Sequence, residues 1–135
     1  MMQIIKESRI IHEIIGPGTG DILTFAYAIC EAERLMFTEN IPMDEIYVTK
    51  DIYPKIAKEM NKKDRAVARQ IERMGNRCWG CMDEEQKKKY IGKELKDIRA
   101  PRDMIFYLAF YVHFDKSFYQ VLEEHPTLLF NGKDG

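Results

Sequence analysis

Lys62, Lys63, Arg65, Arg69, Arg73 and Arg77 set six cations in one short stretch, opposed there only by Asp64 and Glu72. The stretch carries a local net of +4 in a chain whose formal net charge is -1. Arginine and lysine at this density suit phosphate oxygens. An arginine can also bridge the two major-groove acceptors of guanine, and Gln70 offers the donor and acceptor pair that matches adenine. Phosphate contacts from the lysines would position such a face, and Arg69 with Gln70 would do most of the base reading.

Those side chains need a rigid carrier. Val67, Ile71, Met74 and Cys78 recur at i, i+4, i+7 and i+11, which predicts one buried stripe on a helix with the cations on the remaining face. Before it, Ile56, Ala57 and Met60 give a second short segment an apolar face at helical spacing. Asn61 interrupts the two, and Asn61 with Asp64 has the N-cap and N3 spacing of a capping box in which Asp replaces Glu. Two helices around a short polar turn, the second one basic, are what a helix-turn-helix requires, here over about 52–79. The small Ala57 would let the helices pack closely at the bend. The plainer reading is a helical hairpin with a solvated charged face.

IIHEI at Ile10–Ile14 and YPKIAKEMN at Tyr53–Asn61, followed by Trp79, resemble the DNA-binding effector domain of the sporulation master regulator, stage-zero sporulation protein A. The resemblance covers 8–79 well and the C-terminal third loosely, with a small excess of residues around 40–46. It implies an all-α domain, a bracing helix at Tyr53–Asn61, a recognition helix ending near Trp79, and double-stranded DNA as the partner. The family's full-length regulator carries a receiver domain ahead of the effector. Seven residues precede the matched part here, so the resemblance implies an effector domain standing alone. Where the family presents an Arg-Val-Glu-Arg run to DNA, this chain has Ala66, Val67, Ala68 and Arg69, and Glu72 stands in place of a further arginine. The scaffold is matched more closely than the base-reading surface.

The remaining segments fill in a helical protein. Ser8 is placed to cap a helix over Arg9–Ile15, and Gly16, Pro17, Gly18 and Gly20 break it. GPGTG has neither a strand before it nor a Lys-Ser/Thr pair after it, so it reads as a turn and not a phosphate loop. Asp21–Glu39 predicts a long second helix with Ile22, Phe25, Ala26, Ile29, Ala32, Glu33 and Met36 marking its faces. Glu31, Glu33 and Arg34 read as solvated. Asn40–Met43 is a loop, Asp44–Val48 a possible helical turn, and Thr49 a cap for the bracing helix, whose first turn accepts Pro54. Gly80 ends the basic helix. Asp83–Leu95 predicts a polar helix with Lys87, Lys88 and Lys89 offset by its acids. Pro101 starts a last helix, apolar nearly all round from Met104 to Val112 and ended by Pro126, with residues 126–135 as a tail. Its surplus of apolar surface fits either a central strut or a homodimer interface.

At 135 residues, with 45% hydrophobic and 32% charged, the chain is expected to form a single domain. Near-neutral charge argues against a bulk polyanion binder. No signal peptide or membrane-length apolar run is read, which predicts a cytoplasmic protein without membrane contact. Cys78 and Cys81 form a CxxC. Zinc would need two more ligands, and Cys30, His12, His113 and His125 lie in separate segments; a redox pair would follow a strand, not a helix. Cys78 falls on the buried stripe, so the pair reads as structural. His12 is expected to be partly buried. Neither a catalytic nucleophile nor a metal or cofactor site is assigned. The sequence reading is therefore an all-α protein of about six helices with a central helix-turn-helix, binding DNA through Lys62, Lys63, Arg65, Arg69, Gln70, Arg73 and Arg77. The alternative is a protein-interaction module on the same scaffold.

Overall fold

The computed structural model describes residues 4–17, 21–93, 95, 98 and 100–126. Among these there are seven α-helical segments and no strand. They are α1 (Ile5–Ile15), α2 (Asp21–Glu33), α3 (Tyr53–Met60), α4 (Asp64–Cys81), α5 (Glu84–Gln86), α6 (Asp103–Phe114) and α7 (Phe118–Glu124). Wider π-type turns extend α2 through Arg34–Thr38, lead into α3 over Val48–Ile52, and extend α5 through Lys87–Ile91.

The hydrophobicity of α6 dictates the packing order. Met104, Ile105, Phe106, Tyr107, Leu108, Ala109, Phe110 and Val112 are all buried, and the helix packs against α1, α2, α4, α7 and the Lys87–Ile91 turn. Burying one large apolar side chain contributes about 1.5–3 kcal/mol, so a helix apolar on every side is stable only when enclosed. Phe118 of α7 packs on both Tyr107 and Phe110, at ring-centroid separations of 4.8 Å, and Tyr111 meets Tyr90 edge-on at 4.7 Å. Most of the apolar surface of this helix is thus buried within one chain, while Tyr111 and Phe114 stay half-buried.

Several boundaries differ from the sequence reading. Helix α1 starts at Ile5, and Ser8 lies in its first turn with its amide bonded to the Ile4 carbonyl, so it is not the cap. Thr49 does not cap the bracing helix. The entry is made instead by Asp51, whose carboxylate accepts from the Tyr47 amide at 2.8 Å. The polar helix expected over Asp83–Leu95 begins with a full Asp83–Gln86 capping box but stops at Gly92, which takes φ 100. The helix expected to run on to Pro126 breaks at Asp115 in the left-handed region. Ser117 then caps α7 by accepting from the Gln120 amide. Most of the expected tail, 127–135, lies outside the described residues.

The turn between α3 and α4 is built differently from the expected capping box. Asn61 adopts φ 54 and ψ 50, closing α3. The Lys62 amide bonds to the Ala57 carbonyl at 2.8 Å and the Asn61 amide to the Lys58 carbonyl at 3.4 Å, which is a Schellman closure. Lys63, extended and without a side-chain cap bond, opens α4. A residue committed to the left-handed C-terminal position of one helix cannot also supply the extended backbone that starts the next.

Gly75 marks the closest approach of α4 to the chain entering α6. A Cβ there would sit 2.8 Å from the Pro101 carbonyl carbon and closer still to its oxygen, whereas one at Gly80 would meet nothing within 4 Å. Helix propensity alone favours Ala over Gly by about 1 kcal/mol at either position. Gly75→Ala should nevertheless destabilise by about 1–3 kcal/mol, because backbone has to move. Gly80→Ala should leave stability unchanged or raise it by up to about 1 kcal/mol. Urea unfolding of the two variants checks both signs.

Candidate nucleic-acid interface

Helix α4 buries Val67, Ile71, Met74, Gly75 and Cys78 and leaves the opposite side to water. Arg65, Arg69, Arg73 and Arg77 are all exposed. Their four-residue spacing makes an inclined ridge about 18 Å long, at 1.5 Å per residue and with a drift of about 40° per step. Lys63 is exposed at the head of the helix. In helix-turn-helix docking the N-terminal part of the second helix meets base edges. On this ridge that part is Arg65 and Arg69, with Arg73 and Arg77 inclined towards one flank, where the backbone would run.

Lys62 and Gln70 are turned inward. The Lys62 ammonium donates to Gln70 Oε1 at 2.9 Å and to Thr24 Oγ1 at 3.2 Å, and the Thr24 hydroxyl donates to the same Gln70 oxygen at 2.9 Å. Thr24 is fully buried on α2. Recognition of adenine needs both ends of the glutamine amide, and here the oxygen already holds two donors. The two groups that the sequence reading gave to base and phosphate contact, the Gln70 amide oxygen and the Lys62 ammonium, are thus engaged inside the fold. The signal was present in the sequence: at 100° per residue Gln70 lies beside Met74, at the edge of the buried stripe.

Acidic residues trim the basic face less than the sequence implied. Glu72 lies on the α6 side of α4 with its carboxylate 3.7 Å from the Arg102 guanidinium. Asp21, at the start of α2, sits 3.6 Å from Arg73, whose side chain stays 63% exposed. Exposed pairs of this kind contribute up to about 1 kcal/mol and yield readily to a phosphate. Ala66, Arg69, Gln70 and Arg73 line a shallow depression of about 450 Å³ along α4. Lys87 stacks 4.4 Å above the Trp79 ring at the far end of α4. Lys89 lies over Tyr90 and Tyr111 at 5.2 and 5.9 Å, so part of the lysine run is held against aromatic rings.

The cysteine pair ending α4 carries no sign of activation. Cys78 is fully buried, and burial pushes its thiol up to about 12, the opposite of a reactive thiolate. Cys81 is exposed. His12 is exposed, not partly buried, and its Nδ1 lies 3.1 Å from the Gly16 carbonyl beyond the end of α1. His113 stacks on Phe37 at 4.2 Å. Two residues read as solvated are not. Glu31 is 1% exposed and bonds Arg34 at 2.6 Å, and Arg34 also reaches Glu39. Glu33 faces Glu7 of α1. Among the described residues, one group of three side chains has metal-ligating atoms close enough to share an ion, and it is Glu7, Cys30 and Glu33. Sequence spacing reveals only two of the three, the i, i+3 pair Cys30 and Glu33 on α2.

The two roles of neighbouring residues on α4 separate in stability. Gln70→Ala leaves Thr24 and Lys62 without their shared acceptor and should cost about 1–2 kcal/mol. Arg69→Ala removes no buried partner and should stay within about 0.5 kcal/mol of the parent. Equal losses in thermal or urea unfolding would show that the inward network contributes nothing.

No protein-family model matches this chain, nor does any curated protein or solved structure.

Proposed function

We propose that the chain is a DNA-binding transcriptional regulator of the sporulation-regulator effector-domain type, contacting double-stranded DNA through α4. The observation that carries this reading is the exposed Arg65–Arg69–Arg73–Arg77 ridge on an 18-residue helix, set after a three-residue turn from a bracing helix. Arg65 and Arg69 read bases, with Lys63, Arg73 and Arg77 on phosphates. Lys62 and Gln70 hold α4 against α2 and so fix the angle at which the ridge is presented. Two-fold pairing on DNA is common for such domains.

A protein-interaction module remains the second reading. What favours it is that two of the seven expected contact residues are occupied inside the fold and a third, Arg73, is ion-paired. An acidic protein surface would suit the same ridge.

Selection from a randomised duplex pool, followed by fluorescence anisotropy on the enriched sequence and on random duplex, separates the two. Arg69→Ala should lose about 1–3 kcal/mol on the enriched sequence and distinctly less on random duplex. Arg77→Ala should weaken both alike and lower the slope of log affinity against log salt by about 0.9. Failure of the pool to enrich, with no salt-dependent binding of random duplex, would refute the DNA reading and leave the protein partner.

A further inference from the structure

One of two buried polar atoms without a hydrogen-bond partner among the described residues lies between α1 and α2, away from the basic ridge. Glu7 is 6% exposed. Glu33 Oε2 is fully buried and has no hydrogen-bond partner. The ligating atoms of Glu7, Cys30 and Glu33 all lie within 4.8 Å of one another. An unpaired carboxylate oxygen out of water is costly, and a second carboxylate beside it makes the charged state worse. Burial, and after it the hydrogen bond and charge of Glu7, push the Glu33 carboxyl up to about 10. Burial and then the charges of Glu7, Glu33, Glu31 and Glu59 push the Cys30 thiol up to about 12. Lys6 partly offsets the field at Glu33. A field this negative around a thiol and two carboxylates is the field a cation relieves.

We propose that Glu7, Cys30 and Glu33 form a three-ligand site for a zinc-class divalent cation, with its fourth position opening onto the cleft between α1 and α6. A thiolate with two carboxylates is a borderline-soft donor set. It suits zinc or cobalt, and the sulfur disfavours calcium and magnesium. Ligand bonds of about 2.0–2.3 Å place tetrahedral ligands roughly 3.3–3.8 Å apart, so the most separated of the three groups need to close by no more than about 1.5 Å. Glu7 and Glu33 also line a cleft of about 600 Å³ whose walls include Lys6, Arg9 and His113. Three protein ligands and one open position are the arrangement that leaves room for water or an incoming anionic ligand. Binding converts the Cys30 thiol to thiolate and removes the proton held between Glu7 and Glu33, so two protons leave for each metal ion bound.

The test uses the full chain carrying Cys81→Ser, which leaves Cys30 as the accessible thiol because Cys78 is fully buried. Cobalt(II) titrated into the reduced protein should raise a thiolate-to-cobalt charge-transfer band that saturates at one equivalent and is bleached by zinc. Calorimetry in buffers of different ionisation enthalpy should report about two protons released per ion. Cys30→Ser should abolish the band, and Glu33→Gln should weaken zinc binding at least about 100-fold. Glu33→Gln also removes the buried acid pair, so the metal-free variant should unfold at the same or a higher temperature than the parent, which keeps misfolding from imitating the result. Absence of the band in the parent, its persistence in Cys30→Ser, or unchanged zinc affinity in a folded Glu33→Gln would each overturn the site. None of these readouts involves DNA, so they stand or fall independently of the proposed function.

Discussion

Enclosure of α6 is the constraint on which the rest of the structure depends. A helix with apolar side chains on every side has no face to give to water, so its neighbours must surround it. Helices α1, α2, α4 and α7 and the Lys87–Ile91 turn do so. Each outer helix has only one stripe to contribute and therefore presents its other side outward. For α4 the outward side is the arginine ridge. The same contact sets how close α4 can come: the missing side chain at Gly75 lets the Pro101 carbonyl lie against the helix.

Polar interactions then hold orientation at the margins of that core. The Schellman closure at Asn61 determines where α3 ends, and the Lys62–Gln70–Thr24 network ties the first turns of α4 to α2. The buried Tyr90 donates to Glu13 at 2.9 Å, and the Gln86 side-chain amide reaches the Glu13 carbonyl, pinning the segment after α4 back onto α1. Each such bond adds only about 1 kcal/mol, far less than the apolar burial. They are directional where burial is not, so they decide the angle at which the basic helix is carried.

The α1–α2 contact is an exception to this economy of satisfied polar groups. Glu31, almost as deeply buried as any residue, is neutralised by Arg34 within its own helix. Glu7 and Glu33 face each other and a thiol, with Lys6 offsetting only part of the charge. Two acids facing across a helix pair work against the burial that brings the helices together.

The sequence by itself determined the helical character, the punctuation and the stripes. Val67, Ile71, Met74 and Cys78 are legible as a buried row because helical period is a local property. The all-round hydrophobicity of Met104–Val112 is legible for the same reason, and so is the outward facing of Arg65, Arg69, Arg73 and Arg77. The sequence did not decide which of two permitted roles a residue takes. Asn61 suits a C-terminal left-handed position and an N-cap equally well, and the bonds from the Asn61 and Lys62 amides back to α3 selected the first. Gln70 carries the same amide whether it reads a base or braces a helix, and the arrival of Thr24 from another helix selected bracing. Glu7, Cys30 and Glu33 meet only because α1 folds back on α2. Only the tertiary structure could decide these, because the energy of a polar group depends on which partners reach it, and those partners come from distant parts of the chain.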